Sequence, residues 1–319
     1  MASYLVTGGA GFIGSHLAQA LTARGDAVRV LDNLTSGKML NLQAARQGKG
    51  EFSFIEGDIR DLQTCQQAME GIDYVLHQAA RPSVQRSIEN PLATHAVNAT
   101  GSLNLLWAAQ EAGVKRVVVA SSSSIYGDVI PESAPKTESL PPNPLSPYAV
   151  SKVAMENYCV AFHKVYGLET VRLRYFNVFG PRQDPESPYA AVVPKFLFAL
   201  DAGETPTVLG DGLQSRDFTY VDNVVAANLA ACTAPDAPGL ALNVAAGVSH
   251  NLLDLLRVLG EFLGKNGKPN FGPARCGEVR SSLASLELTK RVLDYEPEVD
   301  FRQGLARLVE LAHQGRYQD

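Results

Sequence analysis

A glycine-rich turn near the amino terminus constrains the fold of this chain more than any other feature of its sequence. The segment TGGAGFIGSHL places Gly8, Gly11 and Gly14 three residues apart. They follow the apolar run Ser3–Thr7 and open a helical pattern, Gly11–Arg24. Glycines at this spacing make a tight turn, let a pyrophosphate approach the backbone, and let the helix pack closely on the strand. The sequence therefore predicts a strand–turn–helix unit whose helix N-terminus binds the phosphates of a dinucleotide.

An acidic residue at the end of the second apolar run, Ala27–Leu31, indicates which dinucleotide binds. Asp32 lies about 20 residues beyond the turn, the spacing expected for the carboxylate that binds a ribose 2′-hydroxyl. A carboxylate there repels the 2′-phosphate of NADP, so the sequence favours NAD. Asn33, Ser36 and Lys38 follow Asp32. Their side chains are able to contact a 2′-phosphate, so the sequence does not exclude NADP.

Two further strand ends carry residues suited to the same cofactor. In the segment GDIRD, after the third predicted strand, Asp58 and Ile59 are placed to meet the edge and the face of an adenine. In HQAARPSV, after the fourth, Ala79 and Ala80 are small enough for a cofactor to lie close over the strand end.

The first half of the chain alternates between apolar runs and amphipathic stretches. Further strands are predicted at Phe52–Glu56, Tyr74–His77, Val117–Ala120 and Glu169–Tyr175, and helices at Leu62–Met69, Pro91–Ala112 and Pro147–Tyr166. Alternating strands and helices imply a parallel sheet that is covered on both faces. We therefore expect an α/β protein with a doubly wound, Rossmann-like parallel sheet.

After about Asn177 the alternation fades, and prolines and glycines become more frequent. We expect residues 1–176 to form the cofactor-binding domain with the catalytic residues, and residues 177–319 to form a smaller, mainly substrate-binding region, some of which returns to the sheet. Short helical patterns are predicted there at Pro194–Ala202, Asp222–Ala231, Asn251–Phe262 and Phe301–Leu311.

Charge and composition exclude several classes of function. The 319 residues carry a formal net charge of −5, which argues against a nucleic-acid partner because phosphate backbones need a basic surface. The apolar runs are too short to cross a bilayer, and the amino terminus lacks the pattern of a signal peptide. The four cysteines and six histidines show no metal-ligand spacing. We expect a cytoplasmic protein with reduced thiols and without a metal.

The candidate catalytic pair is Tyr148 and Lys152, which form Y-x-x-x-K within a helical pattern. This spacing places both side chains on one helix face. Tyrosine, with a pKa of about 10, is a weak base at neutral pH, but a nearby ammonium and an oxidised nicotinamide both favour the phenolate. Upstream, the strand ending VASSSSIYG carries four consecutive hydroxyl side chains where α/β folds bind ligands.

With these motifs in place, the chain resembles an extended short-chain dehydrogenase/reductase of the nucleotide-sugar epimerase/dehydratase group. The resemblance runs over nearly the whole length, through TGGAGFIGSHL, DNLTSG, GDIRD, SSSSIYGD, PLSPYAVSK, RYFNVFGPRQDP, GDGLQSRDFTYVDN and NVAAG. It implies that Ser122 is the catalytic serine, which would hydrogen-bond the sugar O4 and pass its proton to Tyr148. The cofactor-binding residues expected besides those above are Phe12, Ile13, Gln78, Asn98, Ser121 and Phe176.

The serine run also distinguishes among the reactions of this group. In the dehydratases that the chain resembles, an Asp and a Glu follow the catalytic residue, and in the uronic-acid decarboxylases a Glu takes the second position. Here both positions are serine, Ser123 and Ser124. Without an acid or base there, a 4-keto sugar has no elimination to undergo, and return of the hydride to its opposite face is 4-epimerisation. The resemblance therefore implies a UDP-hexose 4-epimerase that acts on UDP-glucose and UDP-galactose, and it leaves their N-acetyl forms open as further substrates.

The resemblance also implies a substrate site in the second half. Asn177 is expected to contact the diphosphate or sugar, the segment Tyr189–Phe196 to hold the uracil, and Ser282 to control access to the sugar C2 group. Arginine binds phosphate oxygens bidentately, which suits two diphosphate contacts. The substrate-binding residues expected are Ser83, Ser122, Ser123, Asn177, Val192, Val193, Arg216, Arg275, Glu278 and Ser282.

Other functions remain open at this point. The same group contains UDP-glucuronate 4-epimerases, decarboxylases, dehydratases and 4-ketosugar reductases. A non-catalytic NAD sensor is an alternative of a different class, although the chain keeps Ser122, Tyr148 and Lys152. The resemblance further implies a homodimer formed through the helices at Pro91–Ala112 and Pro147–Tyr166. The sequence does not establish which hexose is used or whether the base is strictly uracil.

Overall fold

A seven-stranded sheet forms the centre of the part of the chain that this computed structural model describes, residues 1–129, 131, 134–184, 191–274 and 279–317. The strands are, in chain order, β1 Ser3–Thr7, β2 Ala27–Asp32, β3 Phe52–Glu56, β4 Tyr74–His77, β5 Arg116–Ser122, β6 Glu169–Tyr175, β7 Val178–Phe179, β8 Thr207–Leu209, β9 Ser215–Asp217, β10 Thr219–Tyr220, β11 Ala241–Val244, β12 Ser249–Asn251 and β13 Asn270–Gly272. The helices are α1 Phe12–Arg24, α2 Gln43–Arg46, α3 Leu62–Ala68, α4 Val84–Glu89, α5 Pro91–His95, α6 Ser102–Glu111, α7 Pro147–Tyr166, α8 Val192–Asp201, α9 Val221–Thr233, α10 Leu252–Leu263, α11 Glu287–Leu293 and α12 Phe301–His313.

The central sheet has the strand order β11-β6-β5-β4-β1-β2-β3, and every neighbouring pair is parallel. The chain moves outward from β1 to β3 and then crosses back to β4, so the direction of winding reverses between β1 and β4. In such sheets, ligands bind beyond the carboxyl ends of the strands at this reversal. The prediction of a doubly wound parallel sheet is confirmed.

The helix predicted at Pro91–Ala112 runs without a gap to Glu111 but is not α-helical throughout. It consists of α5, a wider π turn at Ala96–Gly101, and α6. The glycine within this turn has a packing reason, because a Cβ at Gly101 would lie 2.7 Å from a side-chain carbon of Ile59. The helix therefore changes its winding where it passes the loop that follows β3.

The serine run does not continue as a strand or an open loop. Strand β5 extends through Ser122, and the next residues, Ser123–Tyr126, form one 3₁₀ turn. The Ser122 side chain caps this turn by accepting a hydrogen bond from the backbone N–H of Ser124 at 3.1 Å. The poor strand propensity of serine is thus offset by local capping, which is a common use of serine.

The second half of the chain contributes both to the sheet and to a core of its own. Strand β11 pairs with β6 at the edge of the sheet, and α9 packs against α1 on one face. A separate apolar cluster joins α8, α10 and α12 around Phe196, Leu255 and Leu308. Among the described residues, no helix has the length and apolar character needed to cross a membrane. The polypeptide after Phe176 therefore builds one wall of a cleft and also completes the sheet beside it.

Candidate active site

A cleft of about 1130 Å³ lies beyond the carboxyl ends of the central strands and is lined from both halves of the chain. It brings together most of the residues predicted from the sequence. Those expected at the cofactor are Gly8, Gly11, Phe12, Ile13, Gly14, Asp32, Asn33, Asp58, Ile59, Gln78, Ala79, Ala80, Ser121, Tyr148 and Lys152. Those expected at the substrate are Ser83, Ser122, Ser123, Asn177, Val192, Val193, Arg216 and Ser282.

Two residues predicted to contact the cofactor, Phe176 and Asn98, are buried and are not among the residues that line the cleft. Phe176 is fully buried and packs against Tyr126. Its neighbours Tyr175 and Asn177 both line the cleft. Asn98 is also buried and hydrogen-bonds the backbone of Arg81. Two predicted substrate contacts, Arg275 and Glu278, lie outside the described residues.

The glycine turn fits the phosphates of a dinucleotide. Gly8 has a φ of 65°, in the left-handed region, and a Cβ there would lie 2.7 Å from the backbone of Ala79. A Cβ at Gly14 would overlap the carbonyl oxygen of Gly8. Among the described residues, no side chain caps helix α1 at Gly11, so its first N–H groups stay available to an anion. This cradle of backbone therefore suits a pyrophosphate lying directly on it.

The end of β2 presents Asp32 to the same cleft. Its two carboxylate oxygens accept hydrogen bonds from the backbone N–H groups of Ala10 at 2.9 Å and Leu34 at 2.8 Å. Burial raises the pKa of Asp32, and these two bonds counteract the rise. A carboxylate oxygen accepts more than one hydrogen bond, so a ribose hydroxyl can bind here too.

At the expected adenine position, the carboxylate of Asp58 is already engaged by protein donors. Arg60 donates to it at 3.0 and 2.8 Å, and Asn33 donates at 2.8 Å. The hydrogen bond from Arg60 and the charge of that guanidinium lower the pKa of Asp58 to about 2. Asp58 is therefore ionised at neutral pH and fixes this corner of the cleft.

Helix α7 carries the candidate catalytic pair at its first turns. Ser146 caps the helix by accepting a hydrogen bond from the N–H of Ala149 at 3.2 Å, and Pro147 begins it. Lys152 lies one turn after Tyr148, and its Nζ is 6.0 Å from the centre of the tyrosine ring. That Nζ donates to the carbonyl oxygen of Ala120 at 2.7 Å, which ties the helix to the end of β5. Ser122 and Tyr148 both line the cleft, and the Ser122 hydroxyl is near enough to affect the pKa of Tyr148.

The protonation of Tyr148 differs from the expectation, drawn from the sequence, that a nearby ammonium favours its phenolate. Burial raises the pKa of Tyr148, and the Ser122 hydroxyl acts in the opposite direction. Burial lowers the pKa of Lys152 to about 8, although the carboxylate of Glu156 opposes that fall. For Tyr148, desolvation outweighs the effect of the serine hydroxyl. The protein alone keeps Tyr148 protonated at neutral pH.

A buried charge network supports the catalytic helix, and the sequence interpretation missed it. Glu156 accepts a hydrogen bond from the Ser121 hydroxyl at 2.5 Å and forms an ion pair with Arg174 at 2.8 Å. Arg174 also donates to the hydroxyl of Tyr126 at 2.9 Å. The network connects α7 to the ends of β5 and β6. The sequence did contain a signal for Glu156, because this residue continues the four-residue spacing of Tyr148 and Lys152 along one helix face.

The substrate side of the cleft is formed by backbone held in unusual conformations. Asn177 has a φ of 32°, in a region that asparagine tolerates better than most residues. Ser83 has a φ of 120°, and its hydroxyl caps α4 by accepting from the N–H of Arg86.

Arg216 lies on β9 and donates to the carbonyl oxygen of Ser215 at 2.8 Å. Ser282 is 4% exposed, and its N–H donates to the same carbonyl oxygen at 3.1 Å.

Two groups that line the same cleft were not predicted. Lys136 is buried, and its Nζ donates to the carbonyl oxygen of Gly127 at 2.7 Å. The hydroxyl oxygen of Ser124 is buried, and no hydrogen-bond partner for it is found within the described segments. Ser124 was noted only as a residue that replaces an acid, and Lys136 lies in a proline-rich stretch with no periodic pattern to mark it.

One cleft combines a glycine cradle, an acid at the end of β2, and a serine, a tyrosine and a lysine. This combination defines a class of dinucleotide-dependent enzymes that act on a carbon bearing a hydroxyl group. Residues 4–245 match the NAD dependent epimerase/dehydratase family, and the chain belongs to this family. NAD is therefore the cofactor of this protein.

Named relatives extend over nearly the whole chain. A UDP-glucose 4-epimerase of Mycolicibacterium smegmatis is 39% identical over 308 residues, covering 96% of this chain and 97% of the relative. A UDP-glucuronate 4-epimerase of Thermodesulfobacterium geofontis is 34% identical, covering 97% and 95%. The solved structure of a UDP-N-acetylglucosamine 4-epimerase from Methanobrevibacter ruminantium, in complex with UDP-N-acetylmuramic acid, has a TM-score of 0.92 at 38% identity and covers 98% of this chain and 99% of that one. Nucleotide-sugar decarboxylases and dehydratases also match.

Proposed function

We propose that this protein is a NAD-dependent UDP-hexose 4-epimerase, an isomerase that interconverts UDP-glucose and UDP-galactose and accepts their N-acetyl counterparts. The observation that carries the proposal is the 3₁₀ turn at Ser123–Tyr126, which presents hydroxyls and no carboxylate beside Tyr148. The acidic residues among the described lining of the cleft are Asp32, Asp58, Glu89 and Asp184. None of them belongs to this turn. Elimination of water or carbon dioxide would need an acid or base there, whereas epimerisation does not.

In this proposal the side chains of Ser122 and Tyr148 bind O4 of the hexose and transfer one proton. Ser122 hydrogen-bonds the hydroxyl on C4 of the hexose, and the oxygen of Tyr148 takes the proton from that hydroxyl. NAD, when bound, supplies a positive charge that favours the phenolate, a hydride acceptor, and later a hydride donor for either face of C4. Lys152, held by the carbonyl of Ala120, keeps a second positive charge near the phenolate. Tyr148 then returns the proton to O4, so the site ends as it began.

The substrate assignment draws on the residues of the second half. Arg216 is suited to the diphosphate because its planar guanidinium binds phosphate oxygens in pairs. Val192 and Val193 begin α8 and offer an apolar wall and backbone groups to a uracil. Asn177 lines the cleft between the catalytic and substrate sides. The names of the relatives, which act on UDP-sugars, support uridine as the nucleoside.

The proposed cycle regenerates oxidised NAD, which leads to an expected result. The purified protein should contain bound NAD and should convert UDP-glucose to UDP-galactose without any added reductant. The measurement is chromatographic separation of the sugar products, together with release and quantification of the bound nucleotide. A stoichiometric requirement for NADPH, or a product that lacks water or carbon dioxide, would assign the protein to another reaction of the family.

We also infer a cytoplasmic homodimer. The unpaired, buried thiols of Cys65, Cys159 and Cys232 are in keeping with a reducing compartment. Large apolar side chains are exposed on neighbouring helices α4 to α7, which favours a two-fold contact between copies of these helices. These side chains are Ile88, Leu92, Trp107, Val150, Tyr158, Val165 and Tyr166.

Light scattering of two variants tests the dimer. Val165 on α7 is 71% exposed, and Val165→Glu should convert the dimer to a monomer because it places two like charges in an apolar contact. Leu213, which is 55% exposed in the loop before β9, provides the matched control, and Leu213→Glu should remain dimeric. A wild-type monomer, or equal dissociation of both variants, would show that these helices do not form the contact.

A further inference from the structure

Asp217 is a buried carboxylate that the proposed chemistry does not use. It ends β9, directly after Arg216, and its side chain is fully buried. Burial raises the pKa of Asp217 to about 6, and hydrogen bonds from backbone N–H groups counteract the rise. The carboxyl group is therefore mostly ionised at neutral pH. A buried charge of this kind is costly unless hydrogen bonds compensate it.

Backbone N–H groups of two other segments compensate the charge of Asp217. Its Oδ1 accepts from Ala246 at 2.9 Å and from Gly247 at 3.2 Å, in the loop between β11 and β12. Its Oδ2 accepts from Gly247 at 3.1 Å and from Ala284 at 3.2 Å. In the described part of the chain, all the donors to this carboxylate are main-chain groups. One side chain thus joins β9 to segments that lie 29 and 67 residues further along.

The segments that Asp217 joins carry residues that the proposed function assigns to the substrate. Arg216 precedes Asp217 on β9 and lines the cleft. Ser282, two residues before Ala284, also lines the cleft, and its N–H donates to the carbonyl oxygen of Ser215 at 3.1 Å. Strand β9 also pairs with β12, which follows the loop that bonds Asp217. The position of Arg216 relative to Ser282 therefore depends on the contacts among these segments.

The segment that contains Ser282 has little regular structure of its own. Residues 279–286 precede α11 without forming a helix or a strand, and they meet Ser215 and Lys136 through isolated bridges. Because no helix or continuous ladder holds such a segment, its place depends on individual hydrogen bonds. The bond from Ala284 to Asp217 is one of them, and a bond to an ionised acceptor is about twice as strong as a neutral one.

The residue type at this position suits its contacts, because a carboxylate only accepts hydrogen bonds. Its two oxygens together offer about four acceptor sites. Asparagine has the same shape, but one end of its amide is a donor. In either orientation that end would face a backbone N–H group, because each oxygen of Asp217 accepts from a different pair of residues. An ionised aspartate therefore satisfies all of these N–H groups, and an amide does not.

We propose that Asp217 is a positioning residue for substrate binding, whose carboxylate fixes Arg216 and the segment of Ser282 in the arrangement that a nucleotide sugar requires. Asp217 is itself fully buried and acts through these two residues. This inference rests on the proposed function, because it takes Arg216 and Ser282 to contact the UDP-hexose. It adds a residue that determines affinity for the substrate from outside the lining of the cleft.

Asp217→Asn tests this role with a substitution of the same size. The Kd and the KM of UDP-glucose should rise about 10-fold, the effect of about one unsatisfied buried hydrogen bond. The NAD content should equal that of the wild type, and kcat at saturating UDP-glucose should change by less than about 3-fold. This is expected because Ser122, Tyr148 and Lys152 are held by β5 and α7. A rise in KM at constant kcat indicates lost binding, which general destabilisation would not produce.

Hydrogen exchange of the protein without substrate tests the hydrogen bonds themselves. Peptides that cover residues 246–248 and 281–285 should exchange slowly in the wild type, because N–H groups in them bond a buried carboxylate. In Asp217→Asn the same peptides should exchange faster, whereas peptides from β5 and α7 should be unchanged. The wild-type measurement tests the bonds even if the variant does not fold.

A matched aspartate controls for the loss of one negative charge. Asp222 lies on α9 in the same half of the chain, and its side chain, 52% exposed, pairs with Arg307 at 3.1 Å. Exposed ion pairs contribute little to stability, so Asp222→Asn should leave the Kd, KM, kcat and exchange rates unchanged.

Three outcomes would overturn the role of Asp217. Fast exchange of both peptides in the wild type would show that the carboxylate does not hold them. An unchanged Kd in Asp217→Asn, with or without faster exchange, would show that these bonds do not set affinity for the substrate. Loss of NAD and kcat together with affinity would indicate only a general structural role. If the wild type binds UDP-glucose without epimerising it, the proposed reaction fails, and the Kd and exchange measurements still decide the role of Asp217.

Discussion

Replacing Tyr148 with phenylalanine is expected to lower turnover of UDP-glucose at least about 100-fold, the contribution typical of a positioned acid–base group. Tyr148 lines the cleft together with Ser122, and Lys152 lies on the same face of α7. The phenylalanine ring fills the same space, so the cleft and its cofactor should be retained.

The measurement is kcat for 4-epimer formation, made alongside the NAD content of the purified variant. Tyr158 lies on the same helix and is 39% exposed, so Tyr158→Phe is a matched control that removes a hydroxyl away from the cleft and should keep full activity. Activity of Tyr148→Phe within the range of the wild type would remove Tyr148 from the mechanism. Loss of both NAD and activity would instead indicate a structural role.

Introducing tyrosine at Ser282 is expected to remove activity on N-acetylated sugars while preserving activity on UDP-glucose. The serine side chain lines the cleft, is 4% exposed, and lies in a segment fixed by the backbone bond to Ser215. A small residue leaves space beside the sugar, whereas a tyrosine fills it and excludes only the larger substituent. The expected loss for UDP-N-acetylglucosamine is at least about 100-fold, which corresponds to roughly 3 kcal/mol of steric exclusion.

Comparison of kcat/KM for UDP-glucose and UDP-N-acetylglucosamine in wild type, Ser282→Tyr and Ser282→Ala provides the check. The alanine variant keeps the space and should retain both activities. If the wild type already rejects the N-acetyl sugar, or if Ser282→Tyr depresses both substrates equally, Ser282 does not control access to the sugar.

Residues whose roles depend on local backbone geometry were predictable from the sequence. The glycine turn, Asp32 at the end of β2, and Tyr148 with Lys152 on α7 each follow from spacing within one strand, turn or helix. The parallel sheet follows from the alternation of strands and helices, and the structure confirms it. The role expected for Phe176 near the nicotinamide stays a prediction, because its side chain is buried against Tyr126 while its neighbours Tyr175 and Asn177 line the cleft.

Residues whose roles depend on distant contacts were not predictable in this way. Lys136 is positioned by hydrogen bonds to Leu283 and Ser285, which are far away in the sequence. The ion pair of Glu156 with Arg174 joins a helix to a strand that no local pattern connects. Strand β11 resembled any short apolar run until its pairing with β6 was known. In each case the missing information was which segments meet, and a single sequence carries little of it.

The pairing of β11 with β6 affects how the chain folds during synthesis and which fragments of its gene can be transferred alone. During translation, β1 to β6 leave the ribosome while the edge of β6 still has no neighbour, and an unpaired edge is a template for incorrect association. The sheet is complete only after Val244 has emerged. A gene fusion or duplication that ended at Phe176 would transfer a sheet without β11 and a cleft without the lining residues that come later in the chain. The two parts of the cleft therefore have to be passed on together.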